Sequence, residues 1–237
     1  GSTVSAPRPF SYAWLWLGVL LCAPCLAQGG EYPYPERVRV LPVFFVPADQ
    51  TTPSAREQAG LQRHMLWAQR RYRELLGGRD TFELARDRPD VFRASFDLNV
   101  YLGLKDDAAQ YMSELLAHYG FNRFTCPFVF VVVLANPCED VPAGGGRPCN
   151  GDYNRGSGGV ALSSYGLNYE TSFQSTLRHE LGHSFGLPHV DVYGYSMTSS
   201  RSIMSYNRLH HTRGFRPSKT PGKLIPEDLR GLARNDR

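Results

Sequence analysis

Between Arg178 and Asp191 the chain reads RHELGHSFGLPHVD, and three of its seven histidines, His179, His183 and His189, fall in this one stretch. Imidazole is the commonest side-chain metal ligand. On a helix, positions i and i+4 point nearly the same way one turn apart, so His179 and His183 can grip a single ion. Glu180, beside the first of them, is directed at whatever else sits on that ion, where a carboxylate can act as general base. His189 cannot extend the same face, because Gly186 and Pro188 end the helix. A sharp reversal at Gly186, which accepts left-handed backbone at no steric cost, would carry His189 back to the other two. Three neutral imidazoles leave a fourth tetrahedral position open, the pattern of a catalytic Zn²⁺ rather than a structural one. The chemistry such a set could perform is hydrolysis, with water deprotonated by Glu180 and attacking a carbonyl polarised by the ion.

Those groups need a scaffold to hold them. Arg37 to Pro47, RVRVLPVFFVP, alternates and then becomes wholly apolar, which predicts a central strand. The spacing of Leu61, Met65, Trp67, Tyr72, Leu75 and Leu76 predicts an amphipathic helix from Ser54, stopped by Gly77 and Gly78. A strand over 81–85 and a second helix over 106–119 follow, and Pro127 to Ala135, PFVFVVVLA, reads as a fully buried strand. The Gly- and Pro-rich stretch 136–158 reads as a loop. A short strand over 158–164 and a third helix over 171–185 come next. Beyond Gly186 the chain is turn-rich, with one last helix from Pro226. The fold class expected is α/β (α+β): a sheet-bearing upper subdomain over 37–186 and a loop-rich lower one over 187–237.

In the His179–His189 stretch the sequence resembles the metzincin zinc endopeptidases, whose motif HExxHxxGxxH is matched by His179, Glu180, His183, Gly186 and His189. SIMSYN, Ser202 to Asn207, is similar to the methionine-containing turn that underlies their metal, with Met204 in the methionine's place. The resemblance implies a twisted mixed sheet with helices, an active-site helix, and an irregular lower half ending in a helix. It implies that Tyr206, two residues after Met204, faces the metal or the reacting carbonyl. It also implies an edge strand that takes substrate as an added antiparallel strand, and position along the chain points to Gly159, Val160, Ala161 and Leu162 for that role. Peptide hydrolysis is the function expected. Hydrolysis of a non-peptide amide, and a non-catalytic peptide-binding module that keeps zinc for shape, are the alternatives; Glu180 has no use in the latter.

Composition narrows the rest. With 237 residues, 42% apolar and 20% charged, the chain can fill one core without metal or disulfide staples. The net charge of +4 is spread over 26 basic and 22 acidic residues, so neither nucleic acid nor an anionic membrane is an expected partner. Tyr12 to Ala27 is an apolar run after Arg8, too short to span a bilayer and broken by Pro24. It reads as a secretory signal covering 1–27, which makes 28–237 the catalytic domain and the protein secreted. Cys126, Cys138 and Cys149 remain after it. Cys138 and Cys149 bracket a turn-rich loop and are the expected disulfide, with Cys126 buried and unpaired. Asn150, Asp152 and Asn154 alternate as in a calcium loop, but the glycine falls one place late and no glutamate closes the set; calcium is possible and a plain turn is favoured. His210 and His211 lie in a polar stretch and read as solvent-facing. A monomer acting on a peptide or protein substrate is expected.

Overall fold

In the computed structural model, residues 37–104, 108–135, 144–149, 158–163, 170–207 and 222–233 are described. The signal segment 1–27, the Asn150, Asp152 and Asn154 set, Cys138, His210 and His211 lie outside them.

Strand β1, Arg39–Val46, and strand β3, Phe128–Leu134, form the middle of a five-stranded sheet with order β2-β1-β3-β5-β4. Apart from the exposed Arg39 that opens β1, both are apolar because both of their faces are covered. Val40, Phe44, Val46, Val129, Val131 and Val133 pack into one core, and Leu41, Val43, Phe45, Phe130, Val132 and Leu134 into another. This is the pattern of strands sandwiched between helices rather than half-exposed ones. Strand β2, Asp90–Arg93, runs parallel to β1, and β5, Gly159–Ser163, runs parallel to β3. Strand β4, Gly145–Pro148, is antiparallel to β5 and forms the edge.

Helix α1, Ala55–Leu75, starts in a capping box: the Ser54 hydroxyl accepts from the Glu57 N–H, and Glu57 accepts from the Ser54 N–H. Gly77 and Gly78, with φ of +71° and +81°, end it as the sequence predicts. Helix α1 and helix α4, Glu170–Ser184, contribute to the first core. Helices α2, Leu98–Gly103, and α3, Ala108–Tyr119, contribute to the second. Helix α5, Pro226–Ala233, comes last among the described elements. Among the described residues no helix is long and apolar enough to cross a membrane.

Several expectations are corrected. The strand expected over 81–85 is a single bridge, Leu84 to Val40; the strand that extends the sheet is Asp90–Arg93. The loop expected over 136–158 contains β4. Strand β5 is not an edge: β3 pairs with one side of it and β4 with the other, so Gly159, Val160, Ala161 and Leu162 have no free ladder to offer a substrate. Cys149 is a free buried thiol rather than half of a disulfide, and hydrogen-bonds to the buried thiol of Cys126. That hydrogen bond, and then burial, push the Cys149 thiol upward.

Candidate active site

Helix α4 carries RHELGHS into the interior, and a turn of defined geometry follows it. The Leu187 N–H donates to the Gly182 carbonyl and the Gly186 N–H to the His183 carbonyl, both at 2.9 Å, with Gly186 at φ +88°. This is a Schellman motif, which needs a left-handed residue at its centre, and the fully buried Leu187 supplies its apolar anchor. Pro188 then leads the chain to His189, and a short 3-10 turn over Val190–Tyr193 follows. The reversal brings the three imidazoles together. Their Nε2 atoms are 3.1 Å apart for His179 and His183, 3.2 Å for His179 and His189, and 3.0 Å for His183 and His189.

The opposite nitrogens fix what those Nε2 atoms are. The Nδ1 of His179 lies 2.7 Å from the Ile203 carbonyl, and the Nδ1 of His183 lies 2.7 Å from the Leu187 carbonyl. A carbonyl only accepts, so each Nδ1 carries the proton and each Nε2 a lone pair. Burial, and after it the neighbouring His179 and His189, push the pKa of His183 down to about 3. Burial likewise lowers His189, against an opposing pull from Asp191. Neutral imidazoles with lone pairs crowded about 3 Å apart repel one another unless a cation sits among them. The separations are close to the roughly 3.3 Å between nitrogens held about 2.0–2.1 Å from a tetrahedral zinc. The donor set therefore fits Zn²⁺, and His179, His183 and His189 are the group among the described residues able to hold it.

A second layer supports the ligands. Met204 is fully buried beneath α4, with Gly182 leaving the room for its sulfur. Its N–H donates to the Ser202 hydroxyl at 2.9 Å, and Ser202 donates to Asp228 Oδ2 at 2.8 Å. Asp228, on α5 and fully buried, also accepts from the Ile225 N–H at 3.0 Å. The chain of contacts thus runs from α5 through the methionine turn to the Ile203 carbonyl that orients His179. The Met204 carbonyl also accepts from Val190 N–H, next to His189. Asp228 and Ser202 were not legible as site residues, since their partnership spans 26 positions. Asp228→Ala should strand two buried donors and lower the unfolding free energy of the zinc-free protein by about 2–4 kcal/mol, read by urea denaturation. Asp228→Asn should do much less harm. It keeps an acceptor oxygen, and the other carboxylate oxygen, Oδ1, has no hydrogen-bond partner to lose among the described residues.

The three ligands open onto a cleft of about 590 Å³. Gly144, Gly145, Gly146 and Arg147 line it beside Glu180, and Pro188, Asp191, Val192 and Tyr206 line it as well. Glu180 is buried to 8% exposure beside Gly146, where a Cβ would lie 3.0 Å from its Oε2. Tyr206 is 56% exposed, with its ring centroid 4.9 Å from that of His189 and 5.5 Å from that of His179. The structure therefore gathers His179, Glu180, His183, His189 and Tyr206 around one opening, while Gly159–Leu162 sit one strand behind the edge. The free ladder belongs to β4. The Cys149 N–H donates to the Gly158 carbonyl at 2.7 Å, so alternation along the pair turns the N–H and C=O of Gly146, and the C=O of Pro148, outward. Pro148 fits an edge strand because the donor it lacks would point away from the sheet. That proline, after a glycine run, was the available sequence signal for β4.

Residues 147–210 match the Peptidase M66 family. No curated protein gives a significant match. Among solved structures the chain is similar to wild-type OgpA from Akkermansia muciniphila, with a TM-score of 0.53, 17% identity, and coverage of 84% of this chain and 61% of that one. It is similar also to catalytically inactive OgpA from the same organism in complex with an O-glycopeptide substrate, glycodrosocin, with a TM-score of 0.52, 15% identity, and coverage of 84% and 60%. The chain thus spans about three-fifths of OgpA's length.

Proposed function

We propose that this chain, a metzincin-like zinc metallopeptidase by its motif, ligand set and fold, is an endopeptidase that hydrolyses peptide bonds with Glu180 as the base. The observation that carries the reading is the convergence of three imidazole Nε2 atoms, two of them fixed as lone-pair donors, on a cleft whose lining includes a buried carboxylate. Zinc bound there supplies Lewis acidity, which lowers the pKa of water toward about 7 and polarises a carbonyl. Glu180 takes the proton of the attacking water and returns it to the leaving amine. Tyr206 donates its hydroxyl hydrogen to the oxyanion, a role supported by its ring lining the cleft 4.9 Å from that of His189. The outward N–H and C=O of Gly146 hold the peptide extended along β4. The O-glycopeptide bound by OgpA supports a peptide in the corresponding cleft. We place the activity outside the cytoplasm, on the strength of the apolar run 12–27.

Incubation of the zinc-loaded protein with a mixed peptide pool, read by mass spectrometry, tests the reading. New internal cleavages are expected, abolished by dialysis against 1,10-phenanthroline and restored by zinc. Cleavage that survives full removal of metal, or none with one zinc bound per chain, would sink it.

A further inference from the structure

The wall of the cleft formed by β4 has two faces, and only one of them meets the catalytic helix. Gly146 pairs with Ala161, which belongs to the core shared with α4; Arg147 pairs with Val160, which belongs to the core under α3. Residues directly opposite in an antiparallel ladder share a face, so the Arg147 side chain leaves β4 on the side away from Glu180. There the cleft continues around the strand edge to Ala108, at the start of α3. Arg147 is the single lysine or arginine among the described residues that line it. It is partly exposed, and no described carboxylate forms an ion pair with it.

Register sharpens this. Arg147 uses its own N–H and C=O on the β5 side, so toward an added strand it occupies a non-hydrogen-bonded position. Side chains facing each other at such positions are the closest pairs in a sheet, with Cβ atoms about 4.5–5.5 Å apart. Two positions along the same face stands Gly145, which has no side chain to compete for that space. A guanidinium so placed is matched by a planar carboxylate able to take two parallel hydrogen bonds.

Resting on the peptidase reading above, we propose that Arg147 forms an anion-accepting subsite that selects peptides with Asp or Glu at the residue pairing with it across the β4 edge. A cross-strand pair of opposite charges in this geometry corresponds to about a 1.5- to fivefold preference for the acid over its amide.

The test uses the zinc-loaded full chain and peptides in which each residue on either side of a cleaved bond is changed in turn to Asp, Asn, Glu and Gln. The kcat/KM ratio of acid to amide is expected to rise at one position only. It should fall to about 1 in Arg147→Gln, persist in part in Arg147→Lys, and shift in favour of a Lys-bearing peptide in Arg147→Glu. Ratios near unity at every position in the wild type overturn the subsite, as does a preference that survives Arg147→Gln. Charged edge residues also discourage strand-to-strand aggregation. Were that the whole role of Arg147, Arg147→Gln would self-associate more and leave the ratios unchanged, again overturning the proposal. Anisotropy of the same labelled acid and amide pairs on zinc-loaded Glu180→Gln, with and without Arg147→Gln, reads the subsite by binding alone. Absence of any cleavage by the wild type would therefore count against the peptidase reading, and equal binding of the pairs against the subsite.

Discussion

Glu180→Gln is expected to lower kcat by about 10²- to 10⁴-fold while the protein keeps its full complement of zinc. The side chains differ by one atom type and have nearly the same volume, so packing against Gly146 persists. The amide cannot accept a proton from water at neutral pH, and that is the step removed. Metal retention follows from geometry, because among the described residues the converging ligand atoms belong to His179, His183 and His189. Initial rates on a peptide substrate, with zinc counted by atomic emission on the same sample, check both halves. A variant that turns over at the wild-type rate would remove Glu180 from the reaction; one that loses zinc would make it a structural group of the metal site.

Gly146→Ala should be almost as severe, although residue 146 bears no chemistry of its own. A Cβ there collides with the main-chain oxygen of Glu180 and comes within 3.0 Å of both its Oε2 and the Cβ of His183. The main-chain oxygen belongs to α4 and cannot swing aside as a side-chain tip would. Either β4 moves off the helix or the helix yields, and both alter the distance between the peptide's backbone and the base. Misplacement on the order of 1 Å reduces turnover by about 10²-fold. A fall in kcat/KM of that order is expected, with a far-ultraviolet circular dichroism spectrum like the wild type's. Unchanged kcat/KM would mean that the edge strand does not position substrate.

Much of this arrangement was legible in the sequence, for identifiable reasons. Strands β1 and β3 are long and apolar on both faces, Ser54 and Glu57 spell out a cap, and Gly186 marks a reversal that only a residue free of Cβ makes easily. The metal ligands are written in a local pattern, so four positions of helix and one turn suffice to bring them together. The strand β2, DVFR, and the helix α2, LNVYLG, are too short to show a period. The least legible element, β4, reads GGRP, residues that disfavour strands on their own. Its existence depends on pairing with β5 and on the closeness of α4, neither of which a local pattern records. That is why position along the chain points one strand too far inward, to Gly159–Leu162. The partnership of Ser202 with Asp228, and the meeting of Cys126 with Cys149, are similarly non-local. The expected bond from Cys149 to Cys138 followed from loop length, while the fold turns Cys149 toward Cys126 instead.

The reliance of the methionine turn on α5 also orders events in time. Translation delivers His179, His183 and His189 well before it delivers residue 228. Until that carboxylate emerges from the ribosome, the Ser202 hydroxyl lacks its Asp228 acceptor, and the turn that carries the Ile203 carbonyl lacks its tie to α5. In a nascent chain the tie between the methionine turn and the helix that braces it is therefore completed only once α5 has been made, some forty residues after the last of the three imidazoles.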